Sequence, residues 1–355
     1  MAAESCNSRI SADDLQAFCV AVMEKVGVST SHATTTAEAL VMTDTWGVFT
    51  HGTKLLHGYE KRLRVGGLLT EGEPTVVKRN PASAIVDGGS LLGQVTSKFA
   101  MQLAVDLAKN IGIGFVGVRN SCHFGAAGYY TWLAASQGMI GVSMANDVPI
   151  VAAPGSRSAI LGTNPISYAV PAGKHDPIML DMATSTVAAG KIFAAVQSGR
   201  PIPDNWIIGP DGLPSDDGSL IPDQGALQPM AGHKGYGVAL LIESLAALLT
   251  GSAVTWDVGS WLFGDLSQAT DHGHAFLAID VNSLIPLEKF YSRVDALIDQ
   301  IHQAPKAEGS ERIYMPGEME WERRRHALVE GIPLPEDVIA KLRELAETAE
   351  LESPV

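Results

Sequence analysis

Cysteine is scarce in this chain. Three occur in 355 residues, Cys6, Cys19 and Cys122, without regular spacing. That count gives neither a disulfide framework nor a zinc spacing, and it fits free thiols in a reducing compartment. Redox chemistry at Cys122 has nothing else in the sequence to support it. Basic residues are also short, 25 Lys and Arg against 39 Asp and Glu, for a formal charge of -14. Binding to a phosphate backbone needs a basic surface, so no nucleic-acid partner is expected. The densest basic stretch, Arg323–Arg325, sits among Glu318, Glu320 and Glu322, as on a solvated helix face. Long apolar runs are missing as well. "MAAESCNSRISADDL" lacks the basic flank and apolar centre of a secretory signal. "GVALLIESLAALLTG" is broken by Glu243 and falls short of the roughly 20 residues that a membrane span requires. A cytoplasmic protein without membrane association is the expectation.

What is present suits a globular α/β protein. Hydrophobic residues make up 46% and charged residues 18%, enough to bury two or three cores in a chain of this length. Ser11 followed by Asp14 reads as a helix start, and Leu15, Phe18, Cys19, Val22, Met23 and Val26 recur at helical spacing. A second helix is expected from about Ser31 to Gly47. A third follows a turn and is closed by Gly66 and Gly67. From 80 to 185 the period changes: "SAIVDGG", "IGFVGV", "IGVSMAN", "SYAVPAG" and "PIMLDMA" read as strands, with "TSKFAMQLAVDLAKN" as a helix after the first. Residues 197–230 are rich in Pro, Gly, Asp and Ser and read as a surface excursion too polar for a core. A strong helix is expected from about 235 to 250, and a helical, charged tail from 286, interrupted at "YMPGEMEW". No internal repeat is visible.

Two glycine-rich stretches suggest phosphate binding, and context separates them. "GIGFVG", residues 112–117, matches a dinucleotide fingerprint, but that fingerprint must follow a strand and open a helix. Here a helix precedes it and the stretch itself reads as a strand. "AGHKGYGVALLIE" is the better site, because its glycines and Lys234 lead directly into a helix whose free N–H groups and dipole favour an anion. A glycine turn packed against a neighbour is the competing explanation.

Four further positions carry chemistry. His51 in "FTHGTKLL" lies in a turn between helices, beside the Thr50 hydroxyl. His123 in "NSCHFGAAGYY" either fills space or moves protons. Asp181 ends an apolar strand in "PIMLDMATST" and needs a partner, for which a histidine is the obvious candidate. Thr163 and Asn164 add donors at another strand end. "DHGH", residues 271–274, reads as a hairpin turn with no third ligand visible, so no metal is expected.

The succession "THG", "NSCHFGAAGYY", "GVSMANDVPIVAAPGS", "LGTNPISYAVPA", "PIMLDMATSTVAAGKI", "GHKGYGVALLIE" and "MPGE" closely resembles the second type of the malate/L-lactate dehydrogenase family. Its relatives include sulfolactate, ureidoglycolate and diketogulonate enzymes and Δ1-piperideine-2-carboxylate reductases. The resemblance implies a mixed α/β, non-Rossmann fold with a largely antiparallel or mixed sheet and helical N- and C-terminal regions. It implies three subdomains: a helical one over 1–75 and 311–355, a small α/β one over 76–119 and 274–310, and a nicotinamide-binding one over 120–273. It also implies a homodimer that uses NAD or NADP on a small carboxylate substrate.

Carried over by motif, cofactor contacts fall on Leu180, Asp181, Met182, Ala183, Thr184 and Ser185, on His233 and Lys234, on Gly317 and Glu318, and on Asn146 and Asp147. Substrate contacts are expected on Lys54, His123, Phe124, Gly125 and Thr163. Hydride passes between the nicotinamide and C2 of a 2-hydroxy or 2-oxo acid while a general acid/base handles the alkoxide proton, a task suited to histidine. Relatives assign that task to the residue matching His51, supported by those matching Thr50 and Asp181, or to the one matching His123. His51 is narrowly favoured.

Two departures bear on the substrate. The family's arginine four residues after the first histidine is Leu55 here, which removes a bidentate partner for a carboxylate. Lys54 is the nearest remaining cation, but on a helix it points about 100° away from that position and is a poorer fork. Asp147 replaces a hydroxyl residue beside Asn146. Malate and lactate are therefore the substrates most in question. A cyclic imine reductase and a catalytically silent dinucleotide-binding protein stay open as alternatives.

Overall fold

The structure, a computed structural model, describes residues 9–355. Cys6 and the first half of the stretch tested for a secretory signal fall outside them. The α-helices run α1 (Ala12–Lys25), α2 (Thr30–Thr45), α3 (Leu56–Val65), α4 (Gly93–Ile111), α5 (Ala127–Ala135), α6 (Ala189–Gln197), α7 (His233–Glu243), α8 (Leu287–Gln303), α9 (Glu318–Glu330) and α10 (Glu336–Ala349). The main sheet has seven strands: β1 (Thr75–Arg79), β2 (Ser83–Asp87), β3 (Ile113–Ser121), β4 (Met139–Ala145), β5 (Ile166–Val170), β6 (Ile178–Met182) and β7 (His272–Asp280), in the order β1-β2-β3-β7-β4-β5-β6. Only β2 and β3 pair in parallel, and every other neighbour is antiparallel. This is the mixed, largely antiparallel sheet expected.

Alternation along the strands separates two layers. Val116 and Phe276 face α4 and α5 and belong to the largest core cluster of the sheet. Phe115, Val142 and Ala275 face the other way, onto Ile242 of α7 and Ala246 of the π turn that follows it. The chain termini share a third core. Leu15, Phe18, Val22 and Met23 of α1 pack with Leu40 of α2, Leu56 and Tyr59 of α3, and Leu342 and Leu345 of α10. Arg9–Ile10 pairs with Ile332–Pro333 to close it. Ser11 caps α1, its hydroxyl accepting the Asp14 N–H at 3.0 Å. No helix among the described residues is long and apolar enough to cross a membrane.

"GIGFVG" is a helix end followed by a strand. Gly112 closes α4 in a left-handed conformation, and a Cβ on Gly114 would overlap the Ala104 carbonyl, so this glycine serves close packing of helix on strand. Residues 197–230 correct the sequence reading. They supply Ile207–Ile208, Pro214–Ser215 and Ala226–Leu227 to a five-stranded sheet with Val151–Ala152 and Ala159–Leu161. Ile202, Ile207, Ile221 and Leu227 bury a small core there with Val151, Val187 and Ile192. Apolar residues placed singly between turn residues escaped a reading based on average polarity. The "DHGH" stretch is a second correction, since His272 and His274 lie within β7 and are buried.

Candidate active site

Strand register brings most of the chemistry to one end of the main sheet. Ser121, at the end of β3, pairs with His272 at the start of β7, and His274 pairs with Ala145 at the end of β4. Met144 pairs with Ile166 at the start of β5, which pairs with Met182 at the end of β6. The connections that leave this end carry Cys122–Gly125, Asn146–Asp147, Thr163–Asn164 and Ala183–Ser185. Ligands in α/β proteins favour such a rim of strand ends, where loops are free to diverge.

The turn between α2 and α3 adds His51. Its Nδ1 lies 3.0 Å from the Thr50 hydroxyl, and the ring is half-buried. Burial holds its pKa below the ordinary histidine value, opposed by the negative charge of Asp147. The turn is clamped from behind by Asp44, a residue not singled out in the sequence. Its Oδ2 accepts the Thr53 N–H at 3.0 Å and the Thr53 hydroxyl at 2.6 Å. Burial raises this carboxyl to about 7, against the pull of those hydrogen bonds. A Cβ on Gly52 would overlap Asp44, which is why glycine follows His51.

His123 faces His51 with ring centres 5.9 Å apart. Its Nδ1 is 2.7 Å from the Tyr59 hydroxyl, which also accepts the Gln94 amide at 2.9 Å. Because burial drives the Tyr59 pKa far up, the phenol keeps its proton and donates it to Nδ1. Gly125 N–H points at the same nitrogen from 3.4 Å. Nδ1 is thus an acceptor, and in the neutral ring the proton sits on Nε2. Trp261 covers one face of the imidazole at 4.1 Å and 12°. Burial pushes the His123 pKa down to about 3, with Asp147 opposing. The Trp261 loop is held by the buried Arg62, whose guanidinium donates to the carbonyls of Ser260, Gly67 and Gln268. His123 can approach α4 because position 93 is glycine, where a Cβ would overlap the Cys122 and His123 carbonyls.

Asp147 acts on both histidines through its negative charge. Its Oδ1 accepts His272 Nε2 at 3.1 Å and the Val148 N–H at 2.8 Å. Burial is the largest single influence and works against its charge, but the hydrogen bond and charge of His272, the charge of His123 and the Val148 N–H together outweigh it and hold the carboxyl below its usual range. Its neighbour Asn146 is buried: Oδ1 accepts Gly273 N–H at 2.8 Å and the amide donates to the Ala253 carbonyl at 2.9 Å, which ties the loop after β4 to the start of β7. The buried ring of Phe124 stacks on His274 at 4.7 Å and on Tyr130 at 5.0 Å. Thr163 is half-buried next to this group, and its carbonyl accepts from Thr184 at 2.8 Å.

Lys54 is not part of this cluster, because its ammonium pairs with Asp337 of α10 at 2.5 Å. Leu55 packs against the helical core. Asp181 also corrects its expectation. Its partner is the backbone N–H of Gly128 at the start of α5, at 2.7 Å, rather than a histidine, and the residue is exposed. A helix N-terminus with free N–H groups satisfies a carboxylate as an imidazole would.

The cofactor set divides in two. Leu180, Met182 and Ala183 are half-buried along β6 and its exit. Thr184 and Ser185 adjoin the α7 turn, the Thr184 carbonyl accepting Met230 N–H at 2.8 Å and Ser185 bridging to Pro229. His233 and Lys234 are exposed at the first turn of α7, after Gly232 with φ 61°. Gly317 and Glu318 lie at the other end of β6. Gly317 packs on Met179, and Glu318 accepts from Arg312 at 2.6 Å, His302 at 3.1 Å and the Met315 N–H at 2.8 Å. Glu318 lines a cavity of about 390 Å³ with Pro316, Ile298, His302 and Trp321.

Tyr59, Trp261, His272 and Asp44 escaped the sequence reading. His272 had a signal, since "HGH" places two imidazoles at the period of a strand, but it was read as a turn. Tyr59 and Trp261 act on His123 across more than 60 residues of chain, and Asp44 reaches Thr53 over nine through a turn; local spacing does not report such contacts.

A family profile described as malate/L-lactate dehydrogenase matches residues 10–343. A malate dehydrogenase of Pyrococcus horikoshii is 37% identical over 351 residues, covering 97% of this chain and 96% of that one. A solved structure of malate dehydrogenase from that organism superposes with a TM-score of 0.89 at 36% identity over 98% and 97% of the two chains. An L-sulfolactate dehydrogenase of Methanocaldococcus jannaschii is 38% identical, covering 91% and 92%. An NAD-dependent ureidoglycolate dehydrogenase of Escherichia coli is 32% identical, covering 93% of each chain. With sequence and fold both matched over nearly the whole length, this chain belongs to the malate/L-lactate dehydrogenase family and is an oxidoreductase of hydroxy acids.

Proposed function

We propose that the protein is an NAD(P)-dependent dehydrogenase in which His51 moves the proton and His123 holds the substrate oxygen. The observation that carries this reading is the facing pair of imidazoles, 5.9 Å between ring centres, at the end of the sheet. The hydrogen bonds give the two rings opposite roles. With Nδ1 accepting from Tyr59, His123 offers Nε2–H as a donor, and its pKa of about 3 keeps it neutral. In the tautomer assigned for proton transfer, His51 donates Nδ1–H to the Thr50 hydroxyl, which accepts it, and so offers Nε2 as an acceptor. A hydroxyl on C2 held by both Nε2 atoms would accept from His123 and donate to His51. In the oxidation direction His51 takes the hydroxyl proton, and in reduction it returns it.

The α7 N-terminus fits an anionic dinucleotide. His233 and Lys234 are exposed there, ahead of helix N–H groups, and the turn adjoins Thr184 and Ser185. NAD or NADP bound there would accept or supply the hydride. Trp261, stacked on His123, keeps water from one face of the ring, so proton exchange with solvent is limited to the open side.

The test is kinetic. His51→Ala is expected to lower kcat by about 100-fold or more with cofactor affinity nearly intact, and His123→Ala to raise KM chiefly. The reverse pattern would exchange the two roles. No NADH or NADPH oxidation by the wild-type protein across a panel of 2-oxo acids and cyclic imines would reject the enzyme reading.

A further inference from the structure

We infer that Arg62 is a positioning residue of the site: by tying both legs of the loop from Gly259 to Thr270 onto α3, it holds the Trp261 indole on the imidazole of His123. This deepens the proposed function, and the kinetic part of its test rests on that reading.

The loop is a closed excursion. Its neck is drawn together where Gly259 N–H donates to the Thr270 carbonyl at 3.0 Å. The Thr270 hydroxyl donates to the Ser121 carbonyl at 3.1 Å, two residues before His123. Past the neck one side chain turns inward. Trp261 is 8% exposed and lies 4.1 Å from His123, nearly parallel to it, whereas residues 262–269 are exposed except for the half-buried Leu266. Loops whose ends meet in this way are often functional, and one that buries so little surface opens readily. A second hold is needed to keep Trp261 in place.

Arg62 supplies it. The guanidinium is fully buried, and its Nη1 donates to the Ser260 carbonyl at 3.3 Å on one leg of the loop. Nη2 donates to the Gln268 carbonyl on the other leg and to the Gly67 carbonyl, just past α3, at 3.2 Å. The loop lies close along this face of α3. A Cβ on Gly58, one helical turn before Arg62, would stand 3.2 Å from both Leu262 and Trp261, and one on Gly67 would overlap the Leu266 carbonyl.

A buried guanidinium is costly unless a carboxylate meets it. Among the described residues every hydrogen bond of Arg62 goes to a carbonyl, and its buried Nε has no partner. An apolar side chain would avoid that cost but leave the loop carbonyls without a donor. A lysine could not reach both legs and the helix end at once, because only the planar fork presents several N–H groups in fixed directions.

The first test needs no turnover. Diethyl pyrocarbonate modifies accessible imidazole nitrogens, and His123 is the sole histidine of the tryptic peptide that starts at Asn120. Its modification, read by mass spectrometry, is expected to be at least about 5-fold faster in Arg62→Lys than in the wild type, with the exposed His326 unchanged. An unchanged rate at His123 overturns the inference. Where Arg62→Lys yields no folded protein, Gly67→Ala decides in the same way, since it lifts the loop and keeps the guanidinium. The second test is a double-mutant cycle. Arg62→Lys and Trp261→Ala are each expected to raise KM about 10-fold with kcat changed less than about 3-fold, and the double variant to stay near about 10-fold, because both act through one stack. Loss of folded protein would lower the rate without moving KM. A double variant near about 100-fold means independent effects and contradicts the inference. If no substrate turns over, the dehydrogenase reading fails and the modification rates still decide the role of Arg62.

Discussion

Tyr59 is the residue that gives His123 its direction. Without the phenol, Nδ1 would keep only the Gly125 N–H at 3.4 Å, and the Gln94 amide would lose its acceptor. Either ring nitrogen could then carry the proton. Tyr59→Phe is expected to cost about 1–2 kcal/mol of stability by urea titration, the range for an orphaned buried partner, and to lower kcat/KM by about 10-fold through KM. Unchanged kinetics in a normally folded Tyr59→Phe protein would show that the tautomer of His123 does not matter. His51 and His123 were both legible as candidates in the sequence, because histidine in a glycine-bounded turn or before a run of small residues stands out locally. Their division of labour was not. It depends on Tyr59 and Trp261, which lie 64 and 138 residues away from His123 in the chain and reach it only in the fold.

Among the elements, the turn from α2 to α3 is the one whose shape the chemistry depends on. Gly52 has φ -92°, which any residue adopts, so glycine is needed here for space alone. Gly52→Ala is expected to push the methyl against the Asp44 carboxyl, cost about 2–3 kcal/mol, and lower kcat by more than the loss of folded protein explains. Comparing activity per folded molecule with the urea midpoint would separate the two effects. Five of the seven main-sheet strands and most helices could be read from periodicity because each buries one face; β1, exposed along its length, and β7, read at its start as a turn, could not. The α7 start could be read from its glycines and Lys234. The five-stranded sheet was missed because its strands are two or three residues long, below the length at which alternation is visible. Asp181 was given a histidine partner because a sequence does not show that the start of α5 lies against the end of β6.

At the scale of the molecule, buried histidines make stability depend on pH. His274 is fully buried, and burial lowers its pKa from 6.5 to about 3, with His272 adding to the shift. Its contribution is complete above the unfolded value of 6.5 and is lost as pH falls towards 3, because the unfolded chain binds the proton that the native ring refuses. His123 acts in the same direction. Asp44 opposes them. Raised from 3.8 to about 7, it stabilises below 3.8 and loses that contribution as pH rises through 7. Asp181, raised to about 6, opposes them as well, and each buried histidine adds its own loss of stability as pH falls from about 6.5 to 4. The slope approaches about 1.4 kcal/mol per pH unit for each net proton taken up. Urea unfolding of His274→Phe across that range is expected to show a shallower slope than the wild type, whatever its absolute stability. Parallel slopes would mean that His274 is not neutral in the native state.

The proton carrier itself is tested by the pH dependence of kcat/KM for oxidation of whichever hydroxy acid the protein accepts. His51 must be unprotonated to take the hydroxyl proton, so the rate should rise with pH through an apparent pKa below 6.5, the ordinary value from which burial lowers this ring. That rising limb should persist in His123→Ala and vanish in His51→Ala. A limb retained in His51→Ala and lost in His123→Ala would contradict the account.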